Sequence, residues 1–353
     1  MAGDSVTLTE ESNEIQSDDE VDNQRRCPRN IILKSQIVDI ATSPTSDIIA
    51  AGKINGKITV CSFSTSEPNA KIYSLKHHRK ACRSIAFSSD GKKLLTSSKD
   101  KTIQVVNMDT GQILNKIENA HNTPIYKIVS IQDKWIASGD ETGNVKLWDQ
   151  HNCNCIAEFK ECKDFISDMV CDKEGRNLLC TCGDGTLSVF NVRGKKLRSQ
   201  SDQLDDELIS LAIMKSGTKV VCGGGDGTLN IYSWGKWGDV SDRFPGHMLS
   251  VDSLCKMTED IVITGGTDGK IRSVHIQPNY FISEIGKHGN LPIERLQISP
   301  DGDIVASCSH DNVIKFWDIS CLHEHEPITG KAKTKKRKNE ISASRAKDFF
   351  ADL

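Results

Sequence analysis

The sequence predicts an all-β fold, a seven-bladed β-propeller carrying a disordered acidic tail before it and a basic tail after it. Three observations lead there. A turn signature recurs seven times, at Asn55-Gly56, Asp100-Lys101, Thr142-Gly143, Asp184-Gly185, Asp226-Gly227, Asp268-Gly269 and Asp311-Asn312. Successive copies lie 45, 42, 42, 42, 42 and 43 residues apart, a period at which one unit cannot enclose a core alone and must stack on its neighbours. Each signature is also followed by strict apolar–polar alternation, as in Asn144-Val145-Lys146-Leu147-Trp148.

Within a unit the elements follow in order. A short apolar run precedes each turn, such as Ile136-Ala137-Ser138-Gly139, Val220-Val221-Cys222-Gly223 or Ile261-Val262-Ile263-Thr264. Two such runs joined by Asp-Gly or Asn-Gly form a hairpin, because that pair tolerates the positive φ of a tight turn. Upstream lies a further strand ended by its own turn, clearest at Ser84–Gly91 and Leu296–Gly302. The linker to the next unit supplies a fourth strand. A ring must not leave two unpaired strand edges, so Ile31-Ile32-Leu33 is expected to provide the outer strand of the last blade. The organisation expected is residues 1–30 as the acidic tail, 31–320 as the propeller and 321–353 as the basic tail.

Trp148-Asp149 and Trp317-Asp318 close two units, each Trp six residues after its turn. On these residues the units resemble WD40 repeats. At the same offset the other units carry Cys61, Val106, Phe190, Tyr232 and Val274, side chains that still pack between blades. The resemblance implies a buried His, Ser, Asp and Trp tetrad in a complete blade. The seventh unit offers all four, as His288, Ser307, Asp311 and Trp317. The third has His121, Ser138 and Trp148 with Thr142 at the turn, and the sixth keeps His247 and Asp268 without the Trp. These histidines read as satisfied structural donors rather than catalytic bases, since a polar group buried between strands must be paired.

No apolar stretch approaches the roughly 20 residues that span a membrane, and the acidic start is unlike a signal peptide, so a membrane or secreted location is not expected. The 13 cysteines are odd in number, and Cys180, Cys182, Cys222 and Cys308 fall in inner strands as small hydrophobes, which implies a reducing compartment. Residues 1–30 carry eight acidic and three basic side chains, and residues 331–353 the reverse, leaving the propeller near −3. A ring of that charge is not built as a whole for phosphate backbones, although one face can still hold a local basic patch.

In the acidic tail, Ser17 beside Asp18, Asp19 and Glu20 resembles an acidic-directed kinase site, set against a purely solvating role. Lys331, Lys333, Lys335, Lys336, Arg337 and Lys338 form a compact run of the kind read by nuclear import receptors or attracted to nucleic acid. Beyond it Ala346, Phe349, Phe350 and Leu353 take helical spacing, an apolar stripe suited to a partner groove or to docking on the propeller itself.

No catalytic constellation assembles from the sequence, and no cofactor or metal is expected. Gly223-Gly224-Gly225-Asp226-Gly227 lacks a following Lys-Ser/Thr and precedes a strand, so it reads as a hairpin turn rather than a phosphate cradle. Cys321, His323 and His325, or Cys153, Cys155 and Cys162, have ligand chemistry for zinc without paired ligand spacing. The acidic start, degenerate repeats, Lys-rich run and final Asp-Phe-Phe-Ala-Asp-Leu together resemble the WD repeat-containing protein 55 family. That resemblance implies a nucleolar scaffold to which no catalytic residues carry over, with a cytoplasmic pool compatible; the propeller is expected to be a monomer. It would act in ribosomal RNA production and large-subunit assembly through pre-ribosomal protein partners. Two alternatives stay open. One is a substrate receptor of a cullin-RING ubiquitin ligase, whose Trp-Asp-x-Arg ending is approached only by Phe190-Asn191-Val192-Arg193. The other is an RNA-binding adaptor acting through the basic tail. The face bearing Lys76-His77-His78-Arg79-Lys80 is expected to be a contact point separate from that tail.

Overall fold

The computed structural model describes residues 27–325, so the acidic segment 1–26, the basic run 331–338 and the Ala346–Leu353 stripe lie outside the described residues. Seven four-stranded antiparallel sheets follow one another around a ring. In blade 1 the strands, innermost first, are Ile37–Thr42, Ile48–Lys53, Lys57–Ser62 and Ala70–Lys76. Blades 2 to 6 repeat this order. Blade 7 takes Ile293–Ile298, Ile304–Ser309 and Val313–Asp318 from one end of the propeller and Ile31–Ile32 from the other. Ile31 faces Ile314, Ile32 faces Val313, and Leu33 N donates to Asn312 O at 2.9 Å. The first and last strands therefore interlock, and no ring edge is left open.

Each turn signature sits between the second and third strands of a blade, and its chemistry is visible there. The second residue of all seven has positive φ, from 62° at Asn312 to 83° at Gly143. At Gly56 a side chain would also strike the carbonyl oxygens of His78 and Lys80, both 2.5 Å from an ideal Cβ. The first residue uses its side-chain oxygen to accept the backbone N–H two positions on, as in Asn55 to Lys57 (3.0 Å), Asp226 to Thr228 (2.8 Å) and Asp311 to Val313 (3.0 Å). In blade 3, where Thr142 stands, Asp140 takes over and accepts the N–H groups of both Thr142 and Asn144 at 2.9 Å.

No blade owns a core. Buried apolar residues gather into seven clusters, each drawn from two adjacent blades, such as Phe159 of blade 3 stacked on Phe190 of blade 4 at 4.5 Å. Folding of one unit is thus tied to folding of the next.

The innermost strands add a polar belt. Each has a bulge at its second residue, and the residue after the bulge reaches the neighbouring blade. Asp39 accepts Ile85 N (2.8 Å) and Ser84 accepts Ile128 N (3.3 Å). Lys127 pairs with Asp168 (3.0 Å), which also accepts Leu211 N (3.2 Å). Ser210 donates to Val251 O (2.7 Å), Ser253 accepts Leu296 N (2.9 Å), and Arg295 donates from Nε to Asp39 (3.1 Å). That last bond joins blade 7 to blade 1 and completes the circuit.

Candidate functional site

Between blades the expected tetrads are present as bonded units. In blade 7 His288 Nδ1 lies 2.7 Å from Asp311 and Nε2 lies 2.7 Å from Ser307 Oγ, which also accepts Trp317 Nε1–H at 2.8 Å. A carboxylate only accepts, so Nδ1 carries the proton and Nε2 accepts from the Ser307 hydroxyl. Burial pulls His288 below the ordinary imidazole range, against the opposite pull of Asp311. The ring is an orienting bridge, its two nitrogens both consumed.

The third blade is more complete than its sequence suggests. His121 Nε2 meets Ser138 Oγ at 2.6 Å, Trp148 Nε1–H donates to the same oxygen at 2.8 Å, and His121 Nδ1 donates to Asp140 at 3.0 Å. The acid comes from two residues before the turn, so an expectation fixed on Thr142 misses it. Burial opposes the charge on Asp140, but hydrogen bonds from His121 and Asn144 hold its carboxyl well below the usual range. Blade 2 hides a variant without Trp: His78 lies 2.9 Å from Thr96 Oγ1 and 3.0 Å from Thr102 Oγ1, with Asp100 at 3.4 Å. Its signal was the spacing, since a His stands 17 to 19 residues before the Ser or Thr in blades 2, 3, 6 and 7. In blade 6 the expected partnership fails. His247 reaches Thr264 Oγ1 at 2.9 Å and Gly227 O at 3.3 Å, while Asp268 is taken by Arg272 at 2.5 Å. Having lost both Trp and acid, His247 is pushed down to about 4 by burial and then by Arg272.

Two surfaces are left free of this internal bonding. At the end where the innermost strands finish, a cavity of ≈ 1280 Å³ opens into the channel, lined by Lys127, Asp168, Arg176, Arg198, Lys256 and Arg295. Arg295 is shared by Asp39 and Asp168 (3.7 Å); burial works against the guanidinium, and the two carboxylates keep it charged. At the opposite end, where the innermost strands begin, Ile54, Met248, Leu249 and Leu291 are exposed on inter-strand loops, with Met248 at 79%. Tyr126, near the start of the innermost strand of blade 3, packs on Phe165 at 5.2 Å and under Arg83 at 4.9 Å. The Lys76–Lys80 loop lies on this upper face with Lys76, Arg79 and Lys80 exposed and His78 buried.

The sulfur and imidazole groupings do not converge. Cys162 is buried and contacts Ser188 Oγ at 3.4 Å, while Cys155 is exposed. His323 turns to Gly302 O (3.2 Å) and Asp303, and His325 to Tyr280 OH (3.0 Å). Among the described residues no group of three or more His, Cys, Asp or Glu side chains is placed to hold a metal. Burial pushes the Cys255 thiol up to about 12, and burial followed by Asp172 does the same for Cys171, so neither is a ready thiolate. Gly223–Gly227 closes the hairpin of blade 5, with Gly227 N donating to Gly224 O at 3.3 Å.

Seven four-stranded blades, with the His, Ser, Asp and Trp set complete in blades 3 and 7 and partial in blades 2 and 6, define the class: this is a WD40 propeller. The match goes further than class. The chain belongs to the WDR55 family, whose sequence profile spans residues 28–322. It is similar to WD repeat-containing protein 55 of Homo sapiens, 35% identical over 299 residues that cover 84% of this chain and 78% of the human one. The protein of the same name from Bos taurus is 36% identical over 93% of this chain and 87% of its own length. The homolog from Drosophila willistoni is 34% identical over the same 93% of this chain and 66% of its own.

Proposed function

We propose that this WD40 protein is a non-catalytic assembly scaffold of the nucleolus, serving ribosomal RNA production and maturation of the large ribosomal subunit. The observation that carries the reading is the family match over residues 28–322, together with a fold whose buried histidines and carboxylates bond one blade to the next. Function is then left to the rims, where exposed Ile54, Met248, Leu249 and Leu291 are side chains suited to protein contacts. The basic run Lys331–Lys338 fits retention in a compartment rich in RNA.

Purification of the tagged protein with and without ribonuclease tests this. Recovery of large-subunit assembly factors is the expected outcome, and recovery of cullin-RING adaptors in their place sinks it. Neutralising residues 331 to 338 is expected to disperse a fluorescent fusion from nucleoli.

A further inference from the structure

The near-neutral charge of the ring conceals a strong polarity. Residues 27–117, which form blades 1 and 2 and the closing strand, carry fourteen basic and six acidic side chains, a net +8. Residues 118–325 carry twenty-one basic and thirty acidic, a net −9. On the upper face the basic side chains are brought into one arc by backbone contacts. Lys57 and Lys76 are direct neighbours on adjacent strands of blade 1. The blade 1 turn at Gly56 lies against the carbonyls of His78 and Lys80. Lys80 O in turn accepts Ser98 Oγ at 3.1 Å, Lys99 N donates to Ala81 O at 2.9 Å, and Arg79 N donates to Asp100 at 2.8 Å. Lys53, Lys57, Lys76, Arg79, Lys80 and Lys99 therefore follow one another from blade 1 to blade 2.

Among the described residues none of these six enters an ion pair, whereas the lysines of blades 3 and 6 mostly do. Asp100, the carboxylate that enters the arc among the described residues, is already spent on His78, Thr102 and Arg79 N. Lys53 is the least exposed of the six. The residue is 7% exposed, its ammonium reaches solvent with no hydrogen-bonded or ionic partner in the fold, and burial, then Lys57 and Lys71, draws its pKa below the ordinary lysine value. A lysine whose stem is buried and whose head stays in water keeps its charge free for an anion from outside the fold. Across the ring, the blade 5 loop presents Asp205, Asp206 and Glu207, so a polyanion is admitted to one side of the face and repelled from the other.

We infer that the Lys53–Lys99 arc on blades 1 and 2 is a binding surface for the phosphate backbone of RNA, separate from the basic tail. The choice of RNA among polyanions rests on the nucleolar reading above; the charge geometry does not. Single-stranded and looped RNA offers phosphates without requiring base recognition, which suits an arc of lysines with few aromatic side chains.

The test titrates the full chain into a fluorescein-labelled RNA of about 30 nucleotides and mixed sequence, at several salt concentrations. Replacing exposed Lys57, Lys76, Arg79 and Lys80 by Gln is expected to weaken binding at least tenfold and to lower the salt slope by about 3. A charge-retaining set, with Arg for each Lys and Lys for Arg79, is expected to stay within about twofold and guards against a folding artefact. Unchanged affinity in the Gln variant, both with and without residues 1–26, overturns the inference. So does binding that vanishes entirely on neutralising 331–338. A dependence on the arc that appears only after deletion of 1–26 supports it and adds that the chain's own acidic segment competes for the arc. None of these readings depends on which assembly factors co-purify, so this inference and the scaffold proposal fail separately.

Discussion

Blades 7 and 5 solve one packing problem with opposite chemistry. In blade 7 the flat side chain between blades is Trp317, tied through Ser307 and His288 to Asp311. In blade 5 the equivalent residue is Tyr232, fully buried, with Cys222 where the Ser would be and Leu204, Trp234 and Trp237 around it. Both blades keep the same strand order and turn. In these two blades the slot takes a large flat group, although Cys61, Val106 and Val274 fill the same position in blades 1, 2 and 6; the polar bonds fix the orientation of the ring and are dispensable where apolar contacts crowd it. Blade 7 is also the one blade assembled from both ends of the propeller, and it retains the full set of bonds.

That contrast breaks most severely at the closure. Deleting residues 1–36 removes the outer strand of blade 7 and the Ile31 side chain that packs on Ile314 and Phe316. The Val313–Asp318 strand then has an open edge, and thermal unfolding is expected at least about 10 °C lower, or as aggregation. An unchanged midpoint refutes closure by the first strand. Next comes Arg295→Ala, which leaves Asp39 and Asp168 buried in the belt without their shared cation. Loss of one partner from a buried network costs about 3–5 kcal/mol, readable as a lower urea midpoint, and a loss under about 1 kcal/mol would show that water already carries the charge.

Most of the architecture was legible because turn chemistry repeats. Seven turns need a positive φ and a side-chain acceptor, so Asn or Asp followed by Gly recurs at the repeat period. The closing strand was legible from the arithmetic of edges. Less was legible where one residue's role moved along the chain: Asp140 supplies both the turn acceptor and the tetrad acid that Thr142 cannot. His78 was hidden because Val106 stands in place of Trp, and the bonding of His247 could not be read from a sequence in which Asp268 looks available but Arg272 takes it. The arc on blades 1 and 2 was invisible for a different reason. Lys53, Lys57 and Lys99 are scattered in sequence, and only packing of the turn at Gly56 against Lys80 unites them.

Acid separates the blades by how their histidines are held. His247, at about 4, and His288, lowered by burial, are both neutral in the fold, whereas in the unfolded chain imidazole titrates near 6.5. Below about pH 6.5 the unfolded state binds more protons, so stability falls as pH drops and, for His247, levels off near pH 4. The His247 contribution is at most about 3 kcal/mol. Asp100 and Asp140 have folded values below the ordinary carboxylate range, so what they contribute is present above about pH 3.9 and lost only at lower pH. Urea midpoints measured between pH 7 and 4 are expected to decline, and His247→Asn to decline less. Identical slopes for the two proteins exclude His247 as the source.

The finest comparison replaces each interblade aromatic by Phe. Trp317→Phe removes the indole N–H bond to Ser307 and leaves a gap beside Gly286, whose position against the indole ring allows no side chain. A loss of about 1–3 kcal/mol is expected from the unmade bond and the lost packing together. Tyr232→Phe removes a buried hydroxyl that makes no well-formed hydrogen bond, its polar neighbour being Ser201. Deleting an unsatisfied polar atom while keeping the ring is expected to be neutral or slightly stabilising, within about 0.5 kcal/mol. Differential scanning calorimetry of the pair decides whether the slots of blades 7 and 5 differ as argued. Equal losses would mean that the Tyr232 hydroxyl is held by Ser201 or by ordered water, and that blade 5 replaces the tetrad with a polar device of its own rather than with apolar contact.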